Sequence, residues 1–140
     1  MTEESTTPDA VERVRVLLDL GDRGDWDAAI EFFAPHAVWV AIDALETFRG
    51  QAILDFWVQW YAPYEDVRIE ILEIVALGGG VVMAVIRQSG RLGDAPSRIQ
   101  QDAVLVYEWS KGLIERVTTY VDPDEAHAAA ERLAKERANG

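Results

Sequence analysis

Apolar positions recur along this chain with two different periods, and the period changes near Asp66. Before that point the spacing is mostly helical. Thr7 is placed to cap a helix with Pro8 at its first position, and Val11, Val14, Leu17 and Leu18 then recur opposite Glu12, Arg15 and Asp19. Gly21 to Gly24 end that helix. Asp25 opens a second, short one with Trp26, Ala29, Ile30 and Phe33 as its stripe, broken by Ala34-Pro35-His36. Ala37 to Ile42 form a short strand, Asp43 to Leu45 a turn, and Glu46 to Arg49 a brief extended piece ending at Gly50. A third helix is predicted from Gln51 to Trp60, with Ile53, Phe56, Trp57 and Trp60 at i, i+3, i+4 and i+7, so that one face is nearly all aromatic.

From Asp66 the alternation is that of strands. Val67, Ile69 and Ile71 alternate with Arg68 and Glu70, after which the apolar phase moves to Leu72, Ile74 and Ala76, the mark of a β-bulge. Gly78 to Gly80 turn the chain into Val81 to Ile86, which is apolar on both faces. A loop over Gly90 to Ser97 leads to a strand from Ile99 to Trp109, and Ser110-Lys111-Gly112 turn into the next strand. That strand is Leu113 to Val121, where Arg116, Thr118 and Tyr120 share one face. Asp122-Pro123-Asp124-Glu125 then set a cap, an N1 proline and an acidic first turn for a last helix reaching about Ala138.

Strands joined by tight turns pair antiparallel. The pattern therefore predicts an α+β cone over residues 7–138, after a disordered tail over residues 1–6: a bent sheet with helices packed across its concave face and a cavity inside. Two strands are apolar on both faces and the helices are assigned to one of them, so a homodimer through the outer sheet face is expected.

Composition narrows the partners. A net charge of −12, with no Lys/Arg cluster, argues against nucleic acid and against an anionic membrane surface. No apolar run approaches the ~20 residues of a membrane span. The opening MTEESTTPD lacks the basic and apolar regions of a secretory signal, so a cytoplasmic location is expected. Cysteine is absent, which removes disulfides and thiol catalysis. The two histidines, His36 and His127, stand far apart without metal-ligand spacing, so no metal and no cofactor are expected. The Gly78 to Gly80 run lacks the Lys-Ser/Thr of a phosphate loop.

Several short motifs occur in a telling order: Gly24-Asp25-Trp26-Asp27-Ala28 with Phe32-Phe33-Ala34, then Val38-Trp39, Arg49-Gly50, and Glu65-Asp66-Val67-Arg68-Ile69-Glu70. Tyr107-Glu108-Trp109 and Tyr120-Val121-Asp122-Pro123-Asp124-Glu125-Ala126 complete them. Together they resemble the SnoaL-like branch of the nuclear-transport-factor-2-like (NTF2-like) superfamily, from about residue 8 to 133. The resemblance implies a cone with a curved mixed or antiparallel sheet, a dimer, a small hydrophobic ligand inside, and a central position for the strand Leu113 to Val121, whose inner face would floor the pocket. The superfamily includes isomerases, cyclases, lyases, epoxide hydrolases and non-enzymatic binders, and fold does not choose among them.

Ketosteroid-isomerase-like members use a tyrosine and two carboxylic acids, and on that pattern this chain places Leu17, Ala41 and Leu105, none of which exchanges a proton. Epoxide-hydrolase-like members use an Asp-Arg-Asp set, for which Asp102 and Arg116 are the candidates here, while Asp122 is explained as a helix cap. If Ala103, Leu105 and Tyr107 face the cavity, Asp102 faces out, unless a bulge reverses the strand. Asp43 is a second possible partner for Arg116. The expected pocket residues are Trp39, Phe56, Trp60, Arg87, Tyr107, Thr118 and Tyr120. Two readings stay open: a cofactor-independent acid/base enzyme working through Asp102 and Arg116, and a non-catalytic ligand-binding or dimerisation module on the same fold.

Overall fold

Glycine turns flank the strand that is apolar on both faces, so it must pair antiparallel with both neighbours. The computed structural model, which describes residues 7–42 and 45–139, has that pairing. Its strands are β1 (Phe33–Val40), β2 (Thr47–Arg49), β3 (Tyr64–Gly78), β4 (Val81–Leu92), β5 (Arg98–Ser110) and β6 (Leu113–Tyr120). They form one curved, open sheet in the order β2-β1-β6-β5-β4-β3. Every pair is antiparallel except β1 with β6. The helices are α1 (Thr7–Asp22), α2 (Trp26–Ile30), α3 (Gln51–Tyr61) and α4 (Pro123–Asn139). The tail expected over residues 1–6 lies outside the described residues, as does Asp43 and with it the suggested Asp43–Arg116 pair.

The change of phase in β3 is a bulge. Ile71 pairs with Ile86 and Glu73 with Val85, which leaves Leu72 as the extra residue. Ile69 and Ile71 before it, and Ile74 after it, therefore pack against one core although their spacing changes parity. Leu72 itself is exposed.

One assignment at the start of the sheet is corrected. Phe33 belongs to β1, whereas the helical pattern assigned it to the stripe of the second helix. The backbone there pairs with β6, Phe33 opposite Ile114, and Pro35 falls in the irregular stretch before Val38 where no ladder bond is lost. Gly50 joins β2 to α3 at φ 55°, and a Cβ at this position would stand 2.8 Å from the Pro35 carbonyl oxygen, so only glycine fits without movement.

Two cores lie on opposite faces of the sheet. On the concave face α1, α2 and α3 cover Val82, Ala84, Ile86, Ala103, Leu105, Tyr107, Trp109 and Val117. On the other face α4 covers Val81, Met83, Val104 and Val106 through Ala126, Ala130 and Ala134. This corrects the premise that no helix remains for the outer face: α4 occupies it and buries Val81, Met83, Val104 and Val106. The homodimer expected through that face is therefore not called for by a bare apolar surface.

Alanine adds little apolar area, on the order of 0.8 kcal/mol per methylene-sized group. Close approach and Arg137 fix α4 in place. Arg137 donates to the carbonyls of Gly79 and Trp109 and to Glu115 at 3.0 Å, spanning the β3–β4 turn and the end of β5. Gly80 permits this clamp, since a Cβ there would fall 2.7 Å from the Trp109 carbonyl oxygen.

Candidate functional site

Uninterrupted pairing of β4 with β5, from Val81↔Glu108 to Arg91↔Arg98, fixes which residues look inward. Ala103, Leu105 and Tyr107 face the helices, and Gln101 and Gln88 extend the same face towards the open end. Together with the helices they enclose a cavity of about 400 Å³, within the range of small-molecule sites.

Its walls are aromatic. Trp39, Phe56, Trp57, Trp60, Trp26 and Tyr61 all line it. Trp57 is the hub, with its ring 5.6 Å from both Trp26 and Trp39 and 5.3 Å from Phe33. Trp26 also stacks on Tyr61 at 5.0 Å, and Phe56 bridges Trp39 and Trp60. Leu45, Glu46, Trp60 and Gln101 are exposed and form the mouth.

Among the described residues the polar groups on the wall are neutral apart from Glu46 at the mouth. Tyr61 donates its hydroxyl proton to Gln88 Oε1 at 2.6 Å, and Gln88 Nε2 donates to Gln101 Oε1 at 3.3 Å. Tyr107 is fully buried in the floor. Burial pushes the Tyr61 and Tyr107 phenols well above their usual range, so both stay protonated hydrogen-bond donors at ordinary pH. Thr119 lines the same cavity, is 8% exposed, and its Oγ1 has no hydrogen-bond partner among the described residues.

Of the residues expected to form the pocket, Trp39, Phe56, Trp60 and Tyr107 line the cavity. The rest belong to the other face of the sheet. Arg116, Thr118 and Tyr120 do share one face, but they pair with Glu108, Val106 and Val104, whose neighbours point to α4. Val117 and Thr119, the residues between them, are the inward ones.

Asp102 faces out with no bulge to reverse it, and Arg87 lies beside it. Arg87 Nε and Nη2 reach the two Asp102 oxygens at 2.8 and 3.1 Å. That pair holds the Asp102 carboxyl below the usual carboxylate range and raises Arg87. Arg116 Nε is 3.9 Å from Glu108, not from Asp102. The Asp102–Arg116 set is thus not assembled, because the parity of β5 and β6 turns both residues away from the cavity.

Gln88, Gln101, Tyr61 and Thr119 are the inward polar residues that sequence reasoning missed. The signal for three of them was parity: Gln88 follows Ile86 by two residues, Gln101 precedes Ala103 by two, and Thr119 follows Val117 by two. Leu17, Ala41 and Leu105, the apolar residues at the positions of the isomerase-type acids and tyrosine, all line the cavity. Among the described residues no three His, Cys, Asp or Glu groups cluster as metal ligands, and no helix is long and apolar enough to cross a membrane.

Comparison with known proteins agrees with this architecture. A family model of the SnoaL-like domain matches residues 14–117. Bal32a, from a soil-derived mobile gene cassette, superposes with a TM-score of 0.73 at 17% identity, over 90% of this chain and 98% of its own. An LEH-like epoxide hydrolase of M. tuberculosis gives 0.68 at 19% identity, over 90% and 92%. SalBIII, an epoxide hydrolase/cyclase-like enzyme with a role in pyran ring formation in polyether salinomycin, gives 0.71 at 19% identity, over 84% and 93%. At such identities the likeness is one of fold. No curated protein matches the chain.

Proposed function

Because the chain belongs to the SnoaL-like domain family, we propose that it binds a neutral, largely apolar small molecule in the aromatic cavity, without covalent chemistry on a carboxylate. The observation that carries this reading is the contrast within the cavity wall: aromatic walls, and inner polar groups that among the described residues are all uncharged. A buried charge without a partner is costly, so such a wall selects against ionised ligands. The net charge of −12 and Glu46 at the mouth add long-range repulsion of anions.

Some relatives of the same fold are named for epoxide hydrolysis. Chemistry of the Asp-Arg-Asp kind would need carboxylates and a cation around a water inside the cone. Here Asp102, Arg87 and Arg116 stand on the far side of the sheet, and Glu46 is the one carboxylate lining the cavity among the described residues. The binding module is therefore preferred to the acid/base enzyme.

Titration calorimetry with biphenyl-4-ol and with biphenyl-4-carboxylate tests the reading. Saturable binding of the alcohol and little or none of the carboxylate is expected. Tighter binding of the carboxylate, or no binding of the alcohol, would overturn it.

A further inference from the structure

Thr119 Oγ1 poses a problem that the fold alone does not resolve. It is a buried hydroxyl with no hydrogen-bond partner among the described residues, on a residue that forms part of the cavity wall. Buried polar groups are nearly always paired, and one that is not calls for an explanation. A threonine in a strand has more than one accessible χ1 rotamer, and a turn of about 120° carries the hydroxyl to the place the methyl group held, the methyl moving to that of the Cβ hydrogen. Thr119 can thus present a hydroxyl to the cavity without any movement of the backbone.

A second polar feature stands at the other end of the same wall. In the relay from Tyr61 through Gln88 to Gln101, every link donates in one direction. Gln101 Oε1 accepts the last bond, which leaves its amide N–H groups at the mouth as the donors that end the chain. Such relays polarise their terminal donor and strengthen it. Between the two features the wall is apolar: Ile86, Ala103, Leu105 and Trp39 on the sheet, with Phe56 and Trp57 of α3 opposite.

Strand geometry sets their separation. Thr119 pairs with Leu105, four residues along β5 from Gln101. At about 3.4 Å per residue and ~4.8 Å between strands, the two Cα atoms stand roughly 14 Å apart. Both side chains stand on one face of the sheet, so that separation carries over to their polar atoms, and a hydrogen bond of ~2.8 Å at each end leaves roughly 9 Å between the two oxygens of a ligand.

Resting on the binding function proposed above, we infer that the ligand class is an elongated, neutral, ring-containing molecule with an oxygen function at each end. One oxygen pairs with Thr119 on the cavity wall and the other accepts from Gln101 at the mouth. Thr119 and Gln101 are then the specificity-determining residues, and the aromatic walls set only shape and hydrophobicity. A molecule with oxygen at one end leaves one of these groups without its partner.

Calorimetric titration of biphenyl, biphenyl-4-ol and biphenyl-4,4′-diol tests this directly. The diol is expected to bind about tenfold tighter than the mono-ol, as one added neutral hydrogen bond implies. Thr119→Val, close to isosteric, should collapse that advantage, and Thr119→Ser should keep it. Gln101→Leu should reduce it independently. The Tm of Thr119→Val reports whether that variant folds, and it is expected to rise as an unpaired hydroxyl is removed. Equal affinity for diol and mono-ol in the parent protein, or a diol advantage that survives Thr119→Val, would overturn the inference while leaving the binding function intact. Failure of all three compounds to bind would sink both.

Discussion

The two faces of the central strands are built from the same backbone and do opposite things with polarity. On the concave face β4, β5 and β6 present Gln88, Gln101, Tyr107 and Thr119 among aromatic and aliphatic side chains, with no ionised group. One residue along, the convex face carries Arg87, Asp102, Glu108 and Arg116 beside the alanine stripe of α4. Charge has been sorted by parity. The inner face is left to uncharged groups, which the proposed ligand would meet, and the outer face uses ion pairs to locate a helix that has little apolar area of its own.

If packing holds the inner face, removing its hub should cost most. Trp57 is 5% exposed and touches three other aromatic rings. Trp57→Ala is expected to destabilise by about 3–5 kcal/mol, read from urea unfolding, and to abolish binding of biphenyl-4-ol. A loss under 1 kcal/mol would mean that the aromatic wall is not the structural core of that face.

The outer face should yield less, and through electrostatics. Arg137 ties α4 to two backbone carbonyls and lies 3.5 Å from Glu108, which is largely buried. Arg137→Ala is expected to cost about 2–3 kcal/mol, because it leaves a shielded carboxylate short of a cation. Unlike the Trp57 variant, it should leave the affinity for biphenyl-4-ol near that of the parent. Loss of ligand binding in Arg137→Ala would show that the two faces are not independent.

Much of this arrangement was legible in the sequence because it depends on periodicity. The bulge at Leu72, the glycine turns and the cap at Asp122 are local features, and each acts where the residues place it. Asp122 Oδ1 accepts from the Asp124 amide as a cap should. Parity also said correctly that Arg116, Thr118 and Tyr120 go together. Which side they go to is not a local property of the strand. It depends on the register of β6 against β5, and on α4 folding back over the face that the strands alone left bare. Arginine between apolar residues signals a polar environment, and the outer ion network supplies one as readily as a pocket does. The polar residues that do face the cavity are glutamine, threonine and tyrosine, neutral types whose presence in a strand raises no alarm.

Glu108 gives the comparison a pH dependence. Burial raises its pKa, opposed in part by Arg137 and Arg116. The folded protein therefore holds this proton more tightly than the unfolded chain does. Stability from this group is present below the ordinary carboxylate pKa, and it falls as pH rises through the window up to the raised value. Glu108→Gln should remove that slope from a plot of Tm against pH and leave other acid-range changes in place. An unchanged profile would mean that Arg137 and Arg116 offset the burial fully.

The smallest effect is expected at Asp102, the candidate acid of the epoxide-hydrolase pattern. Its pair with Arg87 is about half exposed, and exposed pairs contribute little. Arg87 lowers the Asp102 pKa, so what the pair contributes is present above the ordinary aspartate value and is lost as pH falls through the lowered one. Asp102→Asn should accordingly leave Tm at neutral pH almost unmoved, flatten its fall in the acid range slightly, and leave the affinity for biphenyl-4-ol at the parent value. A tenfold loss of that affinity would place Asp102 in contact with the ligand. That could happen only if β5 were turned over, which would exchange the charged and the neutral faces of the sheet and undo the sorting by parity on which the binding function rests.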